Sequence, residues 1–136
     1  MSWDIFVQDL PANAENVGEI PDGFEPRPLG RRSEIAARIR AILPSVEFVN
    51  PAYGTLDEPG CSVQFHLGSS EIVTSVAVHV YDGEFAPAIV ADLLGQLGWR
   101  ALDPASVTGL FDPSTAEESY ARWRDYRGRV TKPKNS

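Results

Sequence analysis

Residues 61–81 constrain the fold more than any other stretch of the chain. Cys61, Val63, Phe65 and Leu67 alternate with Ser62, Gln64 and His66; after Gly68-Ser69-Ser70-Glu71, Thr74, Val76, Val78 and Val80 alternate with Ser75, Ala77, His79 and Tyr81. A period of two puts successive side chains on opposite faces, so each run is a strand with one apolar and one more polar face. The turn residues between them predict an antiparallel hairpin over 61–67 and 72–81.

The flanking segments supply the partners. Trp3, Ile5 and Val7 alternate with Asp4, Phe6 and Gln8, which predicts a strand over 3–9. Residues 10–32 hold Pro11, Pro21, Pro26 and Pro28 and predict a long irregular crossover, pinned by Ile20, Phe24 and Leu29. Ser33 is placed to cap a helix over 33–43 in which Ile35, Ile39 and Ile42 repeat on one face before Pro44. A short strand is expected at 46–49. Residues 50–60, with Pro51, Gly54, Pro59 and Gly60, read as a loop. Ile89, Val90, Leu93, Leu94 and Leu97 give a second helix over 86–97, with Pro87 in its first turn and Gly98 in a left-handed cap. A last strand follows at 99–102. Asp112-Pro113-Ser114 starts a third helix whose stripe is Ala116, Tyr120, Trp123 and Val130.

The order strand, helix, strand, strand, helix, strand is the split βαβ, or ferredoxin-like, pattern. The expected fold is therefore α+β: an antiparallel sheet with two helices on one face and an extra C-terminal helix. Residues 1–130 form one domain, and 131–136 a frayed tail. The apolar residues of the strands face the helices. The opposite face collects Asp4, Phe6, Gln8, Ser62, Gln64, His66, Ser75, Ala77, His79 and Tyr81. The third helix then covers that face with Tyr120, Trp123 and Tyr126, or a partner chain or second copy does.

Composition narrows the function classes. The 136 residues include 19 acids and 12 bases, a formal net charge of −7. The charge is uneven: residues 1–113 hold 16 acids and 6 bases, residues 114–136 hold 3 acids and 6 bases. An acidic body repels phosphate backbones, so nucleic acid is not an expected partner. The basic tail of Arg122, Arg124, Arg127, Arg129, Lys132 and Lys134 reads as a solvated face. The single cysteine, Cys61, fits a reducing compartment, and the start of the chain lacks the pattern of a signal peptide. No apolar run approaches the ~20 residues of a membrane span. A cytoplasmic protein is expected.

Catalytic and metal signals are weak. With Leu67 opposite Ile72 across the turn, His66 faces Val73, and His79 lies six residues further along, about 20 Å away at ~3.4 Å per residue. Two such histidines share no metal, and neither metal nor cofactor is expected. Cys61 sits on the apolar face as a buried small hydrophobe. Asp57 and Glu58 read as a solvated turn. Nucleotide-loop, nucleophile-elbow and zinc-protease motifs are absent from the sequence.

The opening Met-Ser-Trp-Asp-Ile-Phe-Val-Gln-Asp-Leu-Pro, the Ile-Pro-Asp-Gly-Phe-Glu-Pro at 20–26, the Gly-Arg-Arg-Ser-Glu-Ile at 30–35 and the Tyr-Gly-Thr-Leu-Asp at 53–57 resemble a set of small bacterial proteins of unassigned function. The resemblance spans most of residues 1–103. It implies a bacterial source and no activity.

Two functions remain. One is a protein-binding module of inhibitor or immunity type, or a homodimer, in which acidic charge steers a basic partner and the binding residues are Phe6, Gln8, His79, Tyr81, Tyr120 and Trp123. The other is a small-ligand or enzymatic domain that uses the open sheet face through Gln8, His79 and Tyr81. A hollow of ~300 Å³ or more lined by those three residues would favour the second.

Overall fold

The computed structural model describes the backbone of residues 2–131, and their side chains except those of Asp82 and residues 127–131. The chain runs β1 (Trp3–Gln8), β2 (Gly30–Arg31), α1 (Arg32–Ile42), β3 (Glu47–Asn50), β4 (Tyr53–Glu58), β5 (Cys61–His66), β6 (Ile72–Val73), β7 (Val76–Asp82), α2 (Ala86–Leu97), β8 (Arg100–Leu102) and α3 (Ala116–Thr131). It is a mixed α+β fold. One antiparallel sheet has the order β3-β4-β5-β7-β1-β8, and β2 pairs with β6 in a separate ribbon.

The alternation places the faces as the sequence implies. Trp3, Ile5, Val7, Val63, Phe65, Val76, Val78 and Val80 are all buried and pack against α1 and α2 through Ile35, Ile39, Val90, Leu93 and Leu94. Gly98 ends α2 at φ 68°, and its N–H bonds back to the Leu94 and Gly95 carbonyls.

Four expectations are corrected. Residues 50–60 are not a loop: Tyr53–Glu58 is a full strand paired with β5, and Pro59-Gly60 turns between them. Here the alternation is carried by Gly54 and Leu56, both buried, and a glycine does not register as apolar. A Cβ at Gly54 would lie 2.5 Å from the Phe48 ring, so any larger residue there would displace that ring. The sheet accordingly has six strands, β3 and β4 being added to the four of the expected pattern.

The hairpin register is also different. Val63 faces Val80, Gln64 faces His79 and His66 faces Ala77. Leu67 does not pair with Ile72, because Ile72–Val73 is taken by Gly30–Arg31. The turn thereby becomes a long excursion, and β7 slides four residues along β5.

Ser33 does not cap α1. The helix starts at Arg32 with extended Arg31 at its N-cap and no side-chain bond to the cap. At the start of the third helix, by contrast, Asp112 Oδ1 does accept from the Ser114 N–H at 2.9 Å, over a 3-10 turn at Pro113–Thr115.

Finally, α3 does not cross to the open face. It packs beside α2 on the helical side. Tyr120 stacks with Trp123 at 5.5 Å and meets Trp3 at 5.6 Å. Its hydroxyl accepts from the Gly83 N–H at 3.2 Å, where the chain passes so close to Gly60 that only glycine fits. Buried Asp103 closes this corner: Oδ1 accepts from Trp3 Nε1 at 2.9 Å and from the Ala105 N–H at 3.0 Å. Burial raises the Asp103 pKa, opposed by those two bonds and by Ser119 and Arg122. The expected Val130 contact and the 131–136 tail lie outside the described side chains.

Candidate functional site

With three helices on one side, the other side of the sheet is left open over β4, β5 and β7. Its β8 end is covered differently. Leu102 lies on the open side next to Phe6 and joins Leu10, Ala14, Leu110, Ile20 and Phe24 in a second small cluster. The proline-rich segment thus folds over one end of the face. Arg100, opposite Gln8, ties it down by donating to the carbonyls of Pro11 and, at 2.7 Å, Ala14.

What remains uncovered is a row of rings. Tyr53 on β4 is directly paired with His66 on β5, and their rings meet edge to face at 4.6 Å. His66 faces Ala77, whose methyl leaves the diagonal open, and His79 fills it, again edge to face at 4.6 Å. His79 is directly paired with Asp4 on β1 and approaches it at 2.6 Å, Nδ1 to Oδ1. Tyr81, two residues along β7, completes the row at 6.5 Å from His79. Direct and diagonal cross-strand neighbours are the pairs that touch on a pleated surface.

The hydrogen bonds assign roles within the row. Asp4 accepts, so Nδ1 of His79 carries the proton and its Nε2 is the lone-pair nitrogen in the neutral ring. The Ser2 hydroxyl donates to the same carboxylate oxygen. Gln64 Oε1 accepts from His66 Nε2 at 3.1 Å and from the Tyr81 hydroxyl at 3.2 Å. Burial, and then the neighbouring His79, push the His66 pKa below its ordinary 6.5, so His66 is neutral at pH 7.

The expected binding residues divide between the two sides. His79 and Tyr81 belong to the row; Phe6 and Gln8 are half-buried beside it, next to the covered β8 end. Tyr120 and Trp123 are only 5% and 7% exposed and belong to the helical core. Tyr53 and His66 are the members that sequence reasoning missed as site residues. The reason for separating the two histidines does not survive the observed register. Among the described residues, no group of three or more His, Cys, Asp or Glu comes together to hold a metal ion. Cys61 is buried on the helical side, and its thiol is pushed up to about 11 by burial and by Glu58, so it supplies no thiolate near neutral pH.

A hollow of about 410 Å³ touches the face only at its β4 corner, where Arg32, Asn50, Tyr53, His66 and Ser69 meet. Gln8, His79 and Tyr81 do not line it. Exposed acids flank the row on the same side: Glu47 on the edge strand β3, directly opposite Thr55, and Asp57 on β4, directly opposite Ser62. Among the described residues, no helix is long and apolar enough to cross a membrane. Comparisons with protein-family profiles, curated proteins and solved structures found no match to this chain.

Proposed function

We propose that the chain is a protein-binding module of inhibitor or immunity type, and that its open sheet face receives a basic partner. The observation that carries this reading is the uncovered Tyr53–His66–His79–Tyr81 row, flanked by Asp4, Glu47 and Asp57, on a side that none of the three helices reaches. Aromatic side chains supply contact area at binding surfaces. Acidic neighbours in a chain of net charge −7 steer basic partners and repel nucleic acid. The lone buried thiol and the resemblance to bacterial proteins support a bacterial cytoplasm. The inner strand order β8-β1-β7-β5, all antiparallel, supports a split βαβ core to which β3 and β4 are added.

Photo-crosslinking tests the reading. A photoreactive side chain in place of Tyr81 should trap a protein partner from bacterial lysate, and one in place of Ala88, exposed on α2, should not. The adduct should weaken as salt rises from about 50 to about 300 mM, because exposed charges are then screened. Equal yields at both positions, or no adduct at Tyr81, would reject it.

A second reading, a small-ligand or enzymatic domain, is favoured by one observation: Asp4 holds His79 with Nε2 available, as a general base is held. That reading requires a small molecule whose binding shifts the His79 ring signals in NMR and is abolished by Asp4→Asn.

A further inference from the structure

The three arginines of α1 are not used alike. Arg38 donates to the Leu97 carbonyl at 3.3 Å and lies 5.9 Å over the Trp99 ring, tying α1 to the end of α2. Arg32 donates to the carbonyls of Ser69 at 3.1 Å and Gly68 at 3.4 Å, holding the β5–β6 connection. Arg40 has neither a hydrogen bond nor an ion pair among the described residues.

Arg40 stands at a hollow of about 530 Å³. Ala36 and Ala37 line it from α1, and Phe48 and Pro51 line it from the β3 side. Two alanines side by side on a helix leave the recess, and Phe48 is fixed there by its seat on Gly54. Arg32 and Ser33 line the other end, two helical turns from Arg40, about 12 Å at 1.5 Å per residue. Glu71 also borders that end, where it is paired with Arg31 at 3.7 Å. The two lining arginines exceed the one lining acid, in a protein whose overall charge is −7. The volume lies within the usual range for small-molecule sites, and an apolar lining with one or two placed charges is their usual chemistry.

We propose that this hollow binds a small amphipathic anion, with a carboxylate or phosphate head at Arg40 and an apolar chain along Ala36, Ala37, Phe48 and Pro51. The head goes to Arg40 because Arg32 already serves two carbonyls and has Glu71 nearby. This site lies on the helical side, and it stands or falls independently of the open face.

Decanoate, decyl phosphate and decanol, each below its aggregation concentration, serve as probes in amide NMR titrations of the full chain. Decanoate and decyl phosphate should saturate one site and shift the amides of Ser33, Ala36, Ala37 and Phe48. Decanol should bind more weakly by up to about five-fold, the most that one exposed ion pair contributes. Arg40→Gln should bring decanoate down to the decanol level and leave decanol unchanged. Ala37→Trp, which fills the recess from an exposed helix position, should abolish all three. Equal binding of decanol and decanoate, no effect of Arg40→Gln, shifts centred elsewhere, or binding to phosphatidylglycerol vesicles without binding to decanoate would each overturn the proposal.

Discussion

The two faces of the sheet share the same strands, yet they are built by different rules. On the helical face the side chains interlock: Trp3 is held by Asp103, Tyr120 and Phe111 at once, and Tyr120 in turn holds Gly83 and Trp123. Removing any one of them leaves a void or an unpaired group. On the open face the contacts are pairwise and lateral, edge to face at His66 and tilted between His79 and Tyr81, with both tyrosines exposed and both histidines half-buried. Packing of the first kind commits side chains to the fold. Contacts of the second kind order a surface and leave it available. Polar groups follow the same division: Asp103 is sealed in, whereas Asp4 and His79 remain accessible while bonded to each other.

The largest expected effect lies on the helical face. Trp123→Ala should cost about 3–5 kcal/mol in urea denaturation, the range for deleting a buried aromatic side chain. A loss below about 1 kcal/mol would mean that α3 is merely appended and that the contrast between faces is overstated. Next comes Asp103. Asp103→Ala strands the Trp3 indole and the Ala105 N–H, at about 1–3 kcal/mol; Asp103→Asn keeps an acceptor in place and should cost clearly less. Equal losses would show that the charge, and not the hydrogen bonds, holds that corner.

A smaller effect sharpens the other side. His66 titrates below 6.5 in the folded chain, so the unfolded chain binds more protons as pH falls through 6.5. This residue therefore lowers stability on going from pH 8 to pH 5, with the loss starting near 6.5 and levelling off below its depressed folded value. Imidazole NMR should show the low pKa directly, and His79→Gln should raise it toward 6.5, since one of its two causes is removed. An unchanged value in that variant would show that burial acts alone and that the two rings are not electrostatically linked.

Much of the fold was legible in the sequence because side-chain alternation reports which face a residue occupies. Val63 and Val76 are buried and His66 and His79 lie on the open side, as expected. Alternation does not report which residue sits opposite. Sliding β7 along β5 by an even number of residues keeps every side chain on its face and changes every neighbour. The pairing was decided instead by β2, a two-residue strand in a proline-rich segment that captures Ile72–Val73. Nothing local in Gly30-Arg31 announces a strand. The same limit hid β4, where a glycine stands at a buried position. It also hid the ring row, since that row exists only once both β4 and the register are known. The side taken by α3 was misread because the pattern gives a stripe and not the layer that receives it; Trp3 at the start of the chain is that receiver.

The contrast between the faces is tested most directly by one denaturation experiment on the open side. Tyr53→Thr, His66→Thr and Tyr81→Thr together remove three of the four rings and keep a strand-forming residue at each position. Cross-strand pairs contribute only ~0.2–1 kcal/mol each, so the triple variant should lose under about 2 kcal/mol, less than Trp123→Ala loses alone. A loss of about 4 kcal/mol or more would place the row in the service of the fold, and the reading of this face as a free binding surface would be wrong.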